Sequence, residues 1–270
     1  MDSNTSRTPL IAGNWKMFHG DRSGAELAAE CVKIARATVG VEIVIAPPYT
    51  ALAACVAECH ESSLAIAAQN VYSPHQGACT GEISAETLRA VGCSWVVLGH
   101  SERRHIFAES DQLVAEKVVA ALGAGLKPIV CVGETLAERD TGNALHVVRS
   151  QLSAVSRLLA DASVPIAIAY EPVWAIGSGK SASPKEIEDV HQAIREWLTE
   201  WDPKLAGTAR ILYGGSVNPD NAASVLACPN VDGALVGAAS LEAGSFGAIV
   251  RVASTSTRHT VVRERGARAR

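Results

Sequence analysis

Short apolar segments alternate with longer amphipathic segments along the whole chain. The apolar segments are almost continuously hydrophobic, and they occupy residues 9–14, 41–47, 64–69, 94–100, 128–134, 165–171, 209–215 and 233–238. This pattern is typical of strands that are buried on both faces. The segments between them, among them 23–38, 143–160 and 183–201, have the composition of amphipathic helices. Eight such alternations predict one α/β domain with a parallel sheet.

The segment 183–201 has the clearest helix start in the chain. Ser183 precedes Pro184 and stands three residues before Glu186, which predicts an N-cap, a proline at the first helical position and a capping box. A doubly wound open sheet is the alternative to a closed barrel. The first apolar segment is not followed by the GxGxxG motif of dinucleotide-binding open sheets, so we favour a (β/α)8 barrel.

Length, charge and cysteine content agree with a barrel enzyme. The chain has 270 residues, 48% of them hydrophobic, and single barrels have about 250 residues. The formal net charge of −4 argues against a general nucleic-acid-binding surface. No apolar segment reaches the roughly 18 residues of a membrane span, and the first residues carry no signal segment. Seven scattered cysteines predict free thiols in a reducing compartment, the cytoplasm.

The two ends of the chain are predicted to lie outside the barrel, which we assign to residues 9–253. Residues 1–8 form a short polar segment, and residues 254–270 carry five arginines, one glutamate and few large apolar residues. This composition predicts a disordered tail, with a polyanion-binding basic arm as the alternative. Cys55, Cys59 and His60 lie close in sequence, but no second ligand pair follows them, so we predict no metal site.

Polar residues and glycines recur directly after the apolar segments. Asn14 and Lys16 follow the first segment, and the other members are His100, Glu171, Gly214, Gly215, Ser216 and Gly237. In a parallel barrel these positions meet at the C-terminal mouth, where active sites of barrel enzymes lie. Each residue alone has a purely structural explanation, but their common position favours an active site.

Several longer motifs resemble those of the triosephosphate isomerase family. They are AGNWKM (12–17), WVVLGHSERR (95–104), AYEPVWAIGSGK (169–180), YGGSV (213–217), GEIS (81–84), CVGE (131–134) and LVGAASL (235–241), and the similarity extends over about residues 9–250. The resemblance implies a TIM barrel that interconverts dihydroxyacetone phosphate and D-glyceraldehyde 3-phosphate through an enediolate. It also implies that no cofactor is needed, and a place in glycolysis, gluconeogenesis and the pentose phosphate shunt.

The resemblance assigns a role to each matching residue. Glu171 would be the base, His100 the electrophile and Lys16 the cation; Asn14 would contact the substrate, with Glu102 and Ser101 in support. Backbone N–H groups of Gly177, Ser216, Gly237 and Ala238 would bind the phosphate. The lid would comprise Pro172, Val173, Trp174, Ala175, Ile176, Ser178, Gly179 and Lys180. In a homodimer the loop 71–84 would insert into the partner and bring Thr80 near its site, and Glu82 would pair with Arg103.

These roles have a physical basis. A carboxylate in a closed, partly dry site takes up a proton more readily than one in water. The helical turn expected after His100 would disfavour a second positive charge there and keep the imidazole neutral. Lys16 would supply positive charge where negative charge develops. Closure of the small-residue lid would exclude water and protect the enediol phosphate from losing phosphate.

The chain departs from the family pattern at three positions. Ser178 replaces a threonine in the lid, Ala238 replaces a glycine after the last strand, and Cys79 stands where an aromatic residue is common. One alternative function is the isomerisation of a four-carbon ketose phosphate by the same mechanism. A second is a non-catalytic sugar-phosphate-binding barrel, and a third is nucleic-acid binding through the basic tail.

Overall fold

The strands of the protein close into one parallel barrel. The computed structural model describes residues 7–73, 76–176 and 181–267. Each strand pairs with the next along the chain, and the last pairs with the first. This arrangement confirms the (β/α)8 TIM barrel and rules out the open sheet. The strands are β1 (Leu10–Asn14), β2 (Glu42–Ala46), β3 (Ala65–Ala68), β4 (Trp95–Leu98), β5 (Lys127–Val132), β6 (Ala167–Tyr170), β7 (Arg210–Tyr213) and β8 (Gly233–Val236).

Both faces of the strands are buried, in two separate clusters. Alternate residues, such as Leu10 and Ala12 of β1, fill the inside of the barrel. The residues between them, such as Ile11, pack outwards against the helices in a larger cluster. Successive side chains of a strand point to opposite faces, so two apolar environments explain the nearly continuous apolar segments of the sequence.

Helices cover the outside of the barrel. They are α1 (Arg22–Ala37), α2 (Leu52–Glu58), α3 (Ala85–Val91), α4 (Ser101–His105), α5 (Asp111–Gly123), α6 (Leu136–Asp140), α7 (Ala144–Ser153), α8 (Ser156–Ala160), α9 (Pro184–Trp201), α10 (Pro203–Thr208), α11 (Ala222–Leu226) and α12 (Ala243–Ala267). Short 3-10 helices span Tyr49–Ala51, Val173–Ala175 and Ala238–Leu241. No helix in these described ranges is both long enough and apolar enough to cross a membrane.

Two helix predictions had different outcomes. The start of α9 is confirmed, because Ser183 Oγ accepts a hydrogen bond from the N–H of Glu186 and Glu186 Oε2 accepts one from the N–H of Ser183. The single helix expected over 143–160 is wrong, since α7 and α8 are separate. Ser153 Oγ and Ser156 Oγ donate to backbone carbonyl oxygens at this break, and such bonds compete with helix continuation.

The last helix extends further than the sequence predicted. We expected disorder from residue 254 onwards, whereas α12 continues to Ala267. Its first part is anchored, because Phe246, Ile249, Val250 and Ala253 are buried against the barrel. A helix that is already nucleated gains one hydrogen bond for each further residue, which accounts for the continued helical backbone. That residues 254–270 are independent of the barrel stays a prediction.

Candidate active site

The residues singled out at the strand ends line one cavity at the mouth of the barrel. Asn14, Glu171, Gly214 and Gly237 continue the inward-facing alternation of β1, β6, β7 and β8. The cavity measures about 170 Å³, and its lining includes Lys16, His100, Ser216 and Ala238 as well as these four. Pockets for drug-sized ligands typically measure about 300–1,000 Å³, so this cavity suits a small molecule.

Glu171 lies at the centre of the site and is almost completely buried. Its side chain is 2% exposed, and Oε1 lies 3.0 Å from His100 Nε2. Its other oxygen, Oε2, accepts a hydrogen bond of 2.8 Å from the backbone N–H of Ser101. A buried carboxylate needs such partners. Ser101 was expected only to support the site, and its backbone is in direct contact with Glu171.

His100 is oriented by the helix that follows it. It is the N-cap residue of α4, and Nδ1 accepts a hydrogen bond of 3.2 Å from the backbone N–H of Glu102. A ring nitrogen that accepts a hydrogen bond carries no proton. This hydrogen bond fits the tautomer that carries its proton on Nε2, the nitrogen that faces Glu171.

Lys16 also lines the cavity. Nζ forms an ion pair of 2.6 Å with Glu102 Oε1, and Cε lies 3.6 Å from the position that a Cβ atom would occupy at Gly237. The backbone of Lys16 has a φ angle of +51°, in the left-handed region that residues other than glycine seldom adopt. Asn14 Oδ1 accepts a hydrogen bond of 2.9 Å from the N–H of Lys16.

Three of the four residues expected to bind the phosphate lie in the part of the chain that the structure describes. Ser216, Gly237 and Ala238 line the same cavity as Glu171, whereas Gly177 lies outside the described residues. Ala238 begins the 3-10 helix Ala238–Leu241, and the first N–H groups of a helix have no partner within it. Ala238 is not among the non-glycine residues with positive φ. Its side chain therefore adds no backbone strain to this position.

The first part of the expected lid is anchored to the barrel. Val173, Trp174 and Ala175 form a 3-10 turn between Pro172 and Ile176. Trp174 Nε1 donates a hydrogen bond of 2.8 Å to Glu134 Oε1, and Arg139 stacks over its ring at 4.7 Å. Ile176 lines the cavity. Ser178, Gly179 and Lys180 lie outside the described residues.

Sequence reasoning assigned no role to two residues that organise the site. Glu134 is completely buried and accepts hydrogen bonds from Trp174 Nε1 and from Tyr170 Oη at 3.1 Å. Gln69 Nε2 donates to the carbonyl oxygens of Lys16 and Ala46 at 2.7 and 2.8 Å. Each of the two is the last residue of an apolar segment of the sequence. This is the same signal that identified Glu171.

Of the residues expected at a subunit interface, Thr80 and Glu82 are exposed and Arg103 is half-buried. The loop containing Thr80 and Glu82 is closed at its base by a hydrogen bond of 2.9 Å from the N–H of Tyr72 to the carbonyl oxygen of Ile83. Arg103 pairs with Glu109 within the same chain. The pairing of Glu82 with Arg103, across or beside the interface, stays a prediction.

The state of the cysteines bears on the prediction that they form no metal site. All seven are free thiols, and burial raises the pKa values of Cys55 and Cys59 to about 12, far from the thiolate form that binds metals. In the parts of the chain that the structure describes, no three potential ligands lie together in a suitable group. The independence from metals and cofactors stays an expectation.

Comparisons with known proteins give one consistent result. A family model described as Triosephosphate isomerase matches residues 9–253. Over 242 residues, the chain is 47% identical to a triosephosphate isomerase of Chloroflexus aurantiacus, covering 89% of this chain and 97% of that protein. It is 48% identical to the enzyme of Alcanivorax borkumensis over 249 residues, 92% and 99% of the two chains. It is 48% identical to the enzyme of Bordetella pertussis over 246 residues, which cover 91% of this chain and 98% of that protein.

Proposed function

The chain belongs to the triosephosphate isomerase family, and from that premise we propose which of its residues carry the reaction. Its activity is the isomerisation of triose phosphates, the interconversion of dihydroxyacetone phosphate and D-glyceraldehyde 3-phosphate in glycolysis. We propose that Glu171 is the base, His100 the electrophile and Lys16 the cation. Asn14 and Lys16 would contact the substrate, and Ser101 and Glu102 would orient these groups.

The proposed mechanism moves one proton between adjacent carbons. Glu171 removes a proton from the carbon beside the carbonyl, and the electron pair of the broken C–H bond forms the enediolate. His100 Nε2–H donates to the developing oxygen anion and then recovers a proton from the neighbouring hydroxyl group. Glu171 returns its proton to the other carbon. Lys16 stabilises the negative charge that spreads over the two oxygens and the phosphate.

The pairing of Glu171 with His100 is the observation that carries this proposal. The side chain of His100 is 7% exposed and that of Glu171 is 2% exposed, and His100 Nε2 lies 3.0 Å from Glu171 Oε1. Backbone N–H groups hold both side chains of the pair: that of Ser101 donates to the Glu171 carboxylate, and that of Glu102 donates to the His100 imidazole. A small substrate that replaces the direct contact between Glu171 Oε1 and His100 Nε2 would meet both groups within hydrogen-bonding reach.

We propose that the phosphate binds at the backbone N–H groups of Gly177, Ser216, Gly237 and Ala238. The short helix that begins at Ala238 supports this, because helix N-termini favour anions. Residues 172–180 would then close over the substrate as a lid. The hydrogen bond between Trp174 and Glu134 would define the position of the first hinge.

Substitution of the base tests the proposal. Glu171→Gln keeps the size of the side chain and removes its basicity, so kcat should fall by about 10²–10⁴-fold or more, with binding of glycerol 3-phosphate retained. Glu196→Gln, on the exposed face of α9, is the matched control and should keep wild-type kcat. A Glu171→Gln variant with more than about a tenth of wild-type kcat would remove this residue from the role.

A coupled enzyme assay with two substrates tests the alternatives. Turnover of D-glyceraldehyde 3-phosphate should far exceed turnover of erythrulose 4-phosphate, because the chain belongs to the triosephosphate isomerase family. Preference for the four-carbon substrate would favour the alternative isomerase. Binding of both compounds without turnover would indicate a non-catalytic barrel.

We further propose that the protein is a homodimer. Met17 and Phe18 directly follow Lys16 and are 94% and 56% exposed, and Ile106 and Phe107 at the end of α4 are 70% and 61% exposed. These exposed apolar side chains flank two segments that meet at the ion pair between Lys16 and Glu102, and exposed apolar patches are typical of protein–protein contacts. The loop 71–84, with Thr80 and Glu82, would cover them in the partner. A monomeric mass by light scattering at micromolar concentration, with full activity, would contradict this.

The cytoplasm is the proposed location, and residues 9–253 are the proposed catalytic domain. The free thiols support a reducing compartment. Alkylation of the purified protein under denaturing conditions should label all seven cysteines. Disulfides in protein isolated without reductant would count against the proposed location.

A further inference from the structure

Lys16 has a backbone conformation that it would not adopt without support. Its φ angle is +51°, in the left-handed region that is unfavourable for residues with a side chain. Such conformations persist only where the surrounding structure enforces them, and they concentrate at functional sites. The groups that enforce this conformation therefore bear on the function of Lys16.

One amide group holds the carbonyl side of Lys16. Gln69 Nε2 donates a hydrogen bond of 2.7 Å to the carbonyl oxygen of Lys16 and one of 2.8 Å to the carbonyl oxygen of Ala46. Both N–H bonds of the amide are thereby used. Ala46 is the last residue of β2, and Gln69 directly follows β3. The amide thus ties the loop after β1 to the ends of the two neighbouring strands.

The direction of the Lys16 side chain depends on this backbone conformation. Nζ meets Glu102 Oε1 at 2.6 Å, and Cε lies beside Gly237 in the expected phosphate site. A change of φ to the ordinary right-handed region would rotate the Cα–Cβ bond away from the cavity. The ammonium group would then lose its place between the phosphate site and the reacting carbons.

We propose that Gln69 is a positioning residue, which places the Lys16 ammonium group in the active site by holding the Lys16 backbone in the left-handed conformation. This inference rests on the role proposed for Lys16. Asn14 holds the N–H side of Lys16, but it also lines the cavity, so its replacement would disturb substrate contacts directly. Gln69 is not among the described residues that line the cavity, which makes it the cleaner site for a test.

The first experiment replaces the amide by a side chain of similar size. Gln69→Met removes both N–H donors without adding charge, and Gln192→Met on the exposed face of α9 is the matched control. We expect Gln69→Met to lower kcat/KM by about 10- to 100-fold, since misplacement of a catalytic group by about 1 Å has effects of this size. Affinity for glycerol 3-phosphate, an unreactive analogue, should fall as well. Gln192→Met should change neither value.

A double-mutant cycle shows whether Gln69 acts through Lys16. Glycerol 3-phosphate affinity is measured by titration calorimetry for wild type, Gln69→Met, Lys16→Met and the double variant. If the amide works by placing the ammonium group, its removal should change the affinity by less than about twofold in the Lys16→Met background. A general structural effect would weaken binding by the same factor in both backgrounds, and that result would overturn the inference.

Folding and assembly are controlled in the same samples. Melting temperature and light scattering are recorded for each variant, and Gln69→Glu provides a second isosteric change that lacks the donors. Wild-type kcat/KM in a folded Gln69→Met or Gln69→Glu protein would overturn the inference. A loss that coincides with dissociation into monomers would also overturn it, because the amide would then serve the assembly. A Lys16→Met protein with normal activity would instead refute the proposed role of Lys16.

Discussion

Gly214 is the position where one added methyl group would disturb the proposed base most directly. A Cβ atom there would lie 2.8 Å from Glu171 Cγ and 3.2 Å from the carbonyl oxygen of Tyr170. Carbon atoms in contact stay about 3.5–4.0 Å apart, so the Glu171 side chain would have to retreat by roughly 0.7 Å or more. The φ angle of Gly214 lies outside the left-handed region. Alanine therefore acts through this contact and adds no left-handed strain.

The retreat affects catalysis because both oxygens of Glu171 are held. Oε1 faces His100 Nε2 at 3.0 Å, and Oε2 accepts from the N–H of Ser101 at 2.8 Å. Misplacement by about 1 Å can cost 10²-fold, so Gly214→Ala should lower kcat by about 10- to 100-fold. Overpacking should also lower the free energy of unfolding by about 1–3 kcal/mol. Affinity for glycerol 3-phosphate should change by less than about threefold, since the proposed phosphate donors lie on other residues.

A coupled assay gives kcat and KM for the Gly214→Ala variant, and urea unfolding gives its stability. Gly123→Ala is the matched control, because a Cβ atom there would meet nothing within 4 Å; it should keep wild-type kcat. If Gly214→Ala keeps kcat within about twofold, or if only KM changes, the contact with Glu171 Cγ does not set the position of the carboxylate.

Three further changes have defined outcomes. Burial lowers the pKa of His191 from 6.5 to about 4. Between these two pH values the unfolded chain protonates this imidazole and the folded chain does not. The free energy of unfolding should therefore fall by up to about 3 kcal/mol as the pH drops from 6.5 to 4. Urea unfolding at pH 7 and pH 4.5 checks this, and His191→Asn should flatten the dependence. Removal of residues 254–270 should leave activity and melting temperature nearly unchanged, whereas a fall of several degrees would show that the tail packs on the barrel. Ala238→Gly should change the affinity for glycerol 3-phosphate by less than about tenfold, because Ala238 needs no positive φ; a much larger gain would show that alanine impairs the phosphate site.

The strands of the barrel could be predicted because their burial leaves a simple signal. Neighbouring residues such as Ile129 and Val130 face different apolar clusters. Each strand is therefore a continuous apolar segment, which can be recognised without knowing the strands that pair with it. The signal for the start of α9 was equally local, since the capping box joins residues that are three positions apart in the sequence. Candidate residues such as Glu171 could be found because the end of a parallel strand fixes the end of the barrel at which a side chain lies.

The groups that orient those residues were not predictable in the same way. Gln69 and Lys16 are 53 positions apart, and Glu134 and Trp174 are 40 apart. These pairs depend on the register of the closed barrel, which places one loop against another only after all strands have paired. The left-handed conformation of Lys16 likewise arises from tertiary hydrogen bonds, and a lysine gives no local sign of it.

The three proposed catalytic side chains share one support, the first turn of α4. Glu171 accepts a hydrogen bond from the N–H of Ser101, His100 accepts one from the N–H of Glu102, and Lys16 pairs with the Glu102 carboxylate. These side chains come from three separate loops, and loops are the more mobile parts of a fold. A common rigid partner removes most of that independent motion, since each side chain is placed relative to the same two residues. Catalysis requires side chains placed to within about 0.5 Å, and here that placement depends on one helical turn. Arg104 fixes this turn, because its guanidinium group donates hydrogen bonds to Asp111 of α5 and to the carbonyl oxygen of Gly99.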